Sequence, residues 1–115
     1  MKLTVTDSAN NVIQEKAVNN PIILLSYDDG VGPYSPHGLE ALQIAFKIVL
    51  ISKDMQKKDY DLPIESNIGT IYAKGYSKRF LGSNLKIDFN ANYHLLTLSD
   101  DGETIEDNLQ IEDYR

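Results

Sequence analysis

Apolar and polar residues alternate with a period of two along most of this chain, and with a helical period along one short stretch near its start. Leu3 and Val5 alternate with Thr4 and Thr6, which predicts a short first strand. Thr6, Asp7 and Ser8 are all suited to capping a helix N-terminus, and Ala9, Val12, Ile13 and Ala17 follow at helical spacing. Asn19-Asn20-Pro21 ends that helix, because proline cannot continue its hydrogen bonds. Residues 22–25 form an unbroken apolar run and read as a buried strand, leaving through Ser26 and Tyr27. The segment 28–38 then holds three glycines and two prolines in eleven residues, so it is irregular.

The longest alternation covers residues 41–51. Leu42, Ile44, Phe46, Ile48 and Leu50 share one face, and the opposite face, with Lys47, Val49 and Ile51, is itself half apolar. A strand of that kind is predicted to be central and partly covered on both sides. Shorter strands are expected at 60–65 and 69–76, with Ser66-Asn67 turning between them and a helical turn at 77–81. Leu85, Ile87 and Phe89 mark another strand, Asn90-Ala91-Asn92 a turn, and residues 93–99 its partner. Asp100-Asp101-Gly102 signals a second hairpin, followed by one last strand with Ile105, Leu109 and Ile111 on one face. The class is therefore α+β and mostly β. It has about seven or eight short strands and one N-terminal helix, in a twisted sandwich or partly open barrel.

Composition narrows what such a domain can do. At 115 residues, 42% of them hydrophobic, the chain suits a single domain over 1–115 with one core. No stretch approaches a membrane span, since even 41–51 is interrupted by Gln43 and Lys47, and no signal peptide precedes the first strand. A cytoplasmic protein is expected. The absence of cysteine excludes disulfides, thiolate zinc sites, a cysteine nucleophile and a Cys-ligated iron–sulfur cluster. The net charge of −6 is confined to the end of the chain, where seven acids from Asp100 onward face only Arg115. Nucleic acid is disfavoured as a partner, because phosphate binding needs a positive surface. An acidic, solvated edge strand is the plain reading of that end, and a basic partner is the alternative.

The opening Leu3-Thr4-Val5-Thr6-Asp7-Ser8-Ala9 resembles the start of HesB/IscA-type domains, the A-type iron–sulfur assembly proteins. The apolar strand leading into a glycine-rich loop at 22–32 continues the likeness. Asp28-Asp29-Gly30-Val31-Gly32-Pro33-Tyr34-Ser35 is similar to a cysteine-free subgroup of HesB-like proteins from lactic-acid bacteria. The resemblance implies a HesB-like fold over nearly the whole chain. It also implies cluster ligands near Val31 and near Asp101-Gly102-Glu103, where this sequence has no cysteine. Cluster carriage by the family's usual thiolates is thus not expected, and no cofactor is expected. The implied role is a non-enzymatic binding or adaptor module that meets a protein partner or small ligand.

Asp28, Asp29, Gly30, Gly32, Tyr34 and His37 form the strongest candidate site, a partner or ligand loop in which glycine permits close backbone approach. The alternative is a metal site, with Asp28, Asp29 and His37 as oxygen and imidazole ligands. Against both stands the plain reading that Asp-Asp-Gly is ordinary turn composition. Asp100-Asp101-Gly102-Glu103 fails the calcium-loop pattern, since positions 98 and 108 are Leu98 and Asn108. Lys74, Lys78 and Arg79, interleaved with Tyr76 and Phe80, have the composition of a phosphate- and base-binding patch, but read better as a solvated connection. Gly75-Tyr76-Ser77-Lys78-Arg79 lacks the second glycine of a hydrolase nucleophile turn. His94 is expected to cap or pack at a strand end.

Overall fold

A computed structural model describes residues 1–27 and 46–115. Among these residues nine strands join in one sheet: β1 (Lys2–Val5), β2 (Ile22–Tyr27), β3 (Phe46–Ile51), β4 (Leu62–Ser66), β5 (Gly69–Ala73), β6 (Asn84–Asn90), β7 (Leu95–Asp100), β8 (Glu103–Glu106) and β9 (Gln110–Asp113). Their spatial order is β8-β7-β6-β1-β4-β5-β2-β3-β9. The single α-helix among the described residues, α1 (Asp7–Lys16), follows β1, and a 3-10 helix covers Gly75–Phe80.

Topology forces this sheet to curl. The two edge strands, β8 and β9, are consecutive in the chain and are separated only by Asp107, Asn108 and Leu109. A flat nine-stranded sheet would set its edges on the order of 38 Å apart, at ~4.8 Å per strand. The three-residue link spans about 15 Å at most. The edges therefore meet, and two hydrogen bonds cross the seam: Leu109 N donates to Leu96 O (2.8 Å), and Phe46 N to a carboxylate oxygen of Glu106 (3.0 Å). The result is a half-barrel.

The expected fold class holds, with one correction. What alternation presents as a single last strand is two strands on opposite edges of the sheet. Ile105, Leu109 and Ile111 keep the same parity across the connection, so the pattern shows no break.

Inside the curl, Ala9 and Ile13 of α1 and its C-cap residue Ala17 share one buried cluster with Leu3, Val5, Leu25, Ile48, Leu50, Ile64 and Leu98. Thr6 is the residue that caps α1, its Oγ1 accepting from Ala9 N at 3.3 Å. At the other end of α1, the Arg115 guanidinium donates to Lys16 O (2.9 Å), a carbonyl the helix leaves open, and to Val18 O just beyond the C-cap. Outside the curl, Leu24, Val49, Ile51 and Tyr60 form a second cluster, packed with Met55, Tyr72 and Tyr114. β3 is thus buried on both faces along its length, as its two-sided apolar pattern predicts.

Candidate functional site

The residues singled out as a partner or metal loop, Asp28, Asp29, Gly30, Gly32, Tyr34 and His37, lie outside the described residues. That segment is rooted in the sheet at both ends. It leaves β2 at Tyr27 and rejoins the sheet at Phe46, and these two residues face each other in the antiparallel β2–β3 register. Their rings pack with centroids 5.4 Å apart, and Phe80 of the 3-10 helix lies 4.9 Å from Tyr27.

Beneath this aromatic root sits Lys74. Sequence composition counts it in a basic surface patch, but it is fully buried. Its Nζ donates to the Tyr27 carbonyl at 2.8 Å and lies 5.7 and 6.0 Å from the rings of Tyr60 and Tyr76. Burying an ammonium costs several kcal/mol unless acceptors and π faces meet it. Its backbone carbonyl is occupied as well, accepting from Ser77 Oγ at 2.6 Å. Tyr60, also fully buried, shares a 2.7 Å hydroxyl hydrogen bond with Ser26 on β2. With Lys74 inside, Lys78 and Arg79 are the bases of the predicted patch that remain exposed, and the Arg79 guanidinium lies over Phe80 at 4.9 Å. No sequence signal marks a lysine at the end of a strand as buried. Only the neighbouring Ala73 and Ser77, small residues that leave room for a long side chain, hint at it.

A second polar group sits on the outer face. Lys47, almost buried, places Nζ 2.9 Å from a carboxylate oxygen of Glu112, and Tyr114 Oη donates to the same oxygen at 2.8 Å. Desolvation first, and then the hydrogen bond to Glu112, raise the Tyr114 phenol above its ordinary 10.0. The lysine interrupting an apolar strand and the i, i+2 spacing of Glu112 and Tyr114 are its signals in the sequence.

The place where the resemblance puts the C-terminal ligand pair is a closed turn. Asp101 (φ 49°) and Gly102 (φ 87°) join β7 to β8 as the Asp-Gly signal predicts, and Asp100 pairs with Glu103 across it. Both aspartates are committed to Asn84: Asp100 Oδ1 accepts from its N–H at 3.1 Å, and Asp101 Oδ1 from its side-chain amide at 3.0 Å. These are hard oxygen donors tied into a hairpin, and they do not fit a cluster that needs soft thiolates. Among the described residues, no three His, Cys, Asp or Glu side chains converge as a metal site. His94 stands just before β7 in a left-handed conformation (φ 54°), its ring 6.0 Å from Phe89, in keeping with the expected strand-end role. No helix among the described residues is long and apolar enough to cross a membrane.

Comparison with known proteins agrees with the fold. A solved structure of a protein from Lactobacillus salivarius, named for Fe-S biosynthesis, is 44% identical, with a TM-score of 0.88, and the match covers 100% of this chain and 99% of that one. A second, from Lactobacillus acidophilus and named likewise, is 28% identical with a TM-score of 0.76 over 98% of this chain and 90% of that one. No curated protein matches. The family model described as iron–sulphur cluster biosynthesis matches residues 1–113. With this match over nearly its whole length, the chain belongs to the iron–sulphur cluster biosynthesis family, of HesB/IscA type, and does so without a single cysteine.

Proposed function

We propose that this protein is a non-catalytic binding module of iron–sulphur cluster assembly, one that engages a protein partner through the segment rooted at Tyr27 and Phe46 and does not itself carry the cluster. One observation carries the reading: a family fold over residues 1–113 built from a sequence with no cysteine. Iron–sulphur clusters are held by thiolate charge and softness, which the oxygen donors at Asp101 and Glu103 cannot supply. A fold kept in full while its ligands are missing retains its shape and surfaces, and those serve recognition. The aromatic root and the buried Lys74 support the same reading. They fix both ends of the segment to the sheet, and a fixed base lowers the ordering cost of a loop that binds.

Anaerobic reconstitution of the purified protein with ferrous iron and sulfide tests the first half. The expected product has no stoichiometric iron or acid-labile sulfide after desalting, and a retained cluster overturns the proposal. In-cell photo-crosslinking from position 35 tests the second half. Adducts with components of cluster assembly are expected, and their absence at 35 and at neighbouring positions counts against the adaptor role.

A further inference from the structure

The seam of the half-barrel is not sealed along its whole length. β7 pairs with β8 only through Leu98, Ser99 and Asp100, so residues 95–97 have no ladder partner on that side among the described strands. Among the described strands β9 pairs only with β3. Between these edges, beside the Leu109–Leu96 hydrogen bond, lies a hollow of about 310 Å³ that also borders α1. Its floor is the buried pair Leu96 and Leu109. Val12, Phe89, Leu95 and Ile111, each only partly buried, form its walls.

The polar residues around it are Lys16, His94, Asn108 and Gln110, all of them exposed and all able to donate a hydrogen bond. Among the described residues no carboxylate lines this hollow, although the protein carries 17 acids and a net charge of −6. Three other hollows of the surface each include at least one: Asp113 in the first, Asp88 and Asp107 in the second, Glu65 in the third. An apolar trough whose described lining carries one cation, Lys16, and no carboxylate complements a ligand with an apolar body and one anionic end. Lys16 supplies a single full charge, which suits a monoanion. The adjoining helix terminus is the carbonyl end of α1, which adds no attraction for an anion, so the charge contact falls to Lys16 alone. The volume lies at the lower limit of ligand pockets, about 300 Å³, so the ligand is small. His94, held left-handed with its ring against Phe89, places a donor where wall and rim meet.

We infer that the unsealed seam binds a medium-chain carboxylate, its chain on Phe89, Leu95 and Ile111 and its carboxylate at Lys16 and His94. The inference is independent of the partner role proposed above, because the seam and the 28–38 segment are read by different experiments.

The test is a 15N NMR titration of the whole protein with octanoate, and with octan-1-ol and octylamine as neutral and cationic counterparts. Octanoate is expected to shift amides at 12–16, 94–96 and 108–111, octanol to bind more weakly, and octylamine not to bind there. Lys16→Gln, and His94→Asn, which keeps a residue tolerant of left-handed backbone, are exposed changes that preserve the fold, as an unchanged amide spectrum elsewhere verifies. Lys16→Gln is expected to weaken octanoate about tenfold, the worth of one charge-assisted contact. No localised shifts, equal affinity for octanoate and octanol, or full affinity in Lys16→Gln would overturn the assignment.

Discussion

Thr6 and Asp88 illustrate how much of this protein is fixed by individual polar contacts. Thr6 caps α1, and its hydroxyl also donates to Asp88 Oδ1 at 2.8 Å, which accepts from Phe89 N at 2.8 Å as well. Those bonds, the Thr6 hydroxyl foremost, hold the Asp88 carboxyl below its ordinary 3.8. A group that binds its proton more weakly when folded stabilises the fold above its unfolded pKa. It loses that contribution as pH falls through its lower, folded value. Urea-unfolding free energies measured from neutral pH down through the carboxylate range are therefore expected to fall less steeply in Asp88→Asn and in Thr6→Val than in the native protein. Identical acid slopes in all three would refute this account. Thr6 was one of three adjacent cap candidates in the sequence, and sequence alone does not choose among them. Lys74 was less legible still. Its composition suggests surface, whereas the Tyr27 carbonyl and the Tyr60 ring that accommodate it come from 47 and 14 residues away.

At the scale of elements, periodicity located most of the strands and the helix, because each has a face that must be buried. Short polar devices that join elements left a fainter trace. Asn67, in the β4–β5 turn, accepts from Val5 N at 2.7 Å and donates to Val5 O at 2.8 Å, so its side-chain amide imitates a neighbouring strand. It continues the β1–β4 ladder, which otherwise pairs only Lys2 with Glu65 and Leu3 with Ser66. Asn67→Ala leaves both main-chain groups of Val5 without these partners and is expected to cost about 1–3 kcal/mol in denaturant unfolding. Asn67→Asp keeps the acceptor but loses the donor, and is expected to fall between. A loss below a few tenths of a kcal/mol in Asn67→Ala would show that water replaces the amide. The sequence marked this position only as a turn, because a turn asparagine and a strand-mimicking asparagine have the same local surroundings.

Across the whole molecule, the decisive contact is between the two edges of the sheet. Leu109 is buried, lies in the short link between β8 and β9, and donates its N–H across the seam to Leu96. Leu109→Ala is expected to destabilise the protein by about 2–5 kcal/mol, since it removes core volume where the two edges must meet. A thermal or chemical unfolding curve checks this, and a change under 1 kcal/mol would mean that the seam collapses without cost. By itself the sequence determined the mostly β class with one N-terminal helix, the two-sided burial of β3, the Asp-Gly hairpin and the exclusion of thiolate chemistry. These depend on local alternation, turn chemistry and residue inventory, which neighbours in the chain carry. The tertiary structure alone decided that the last alternation divides between opposite edges, that Lys74 is interior and that an apolar hollow remains along the seam. Each of those depends on which strands become neighbours in space, and a period of two shows which face of a strand is buried but not beside which strand it lies.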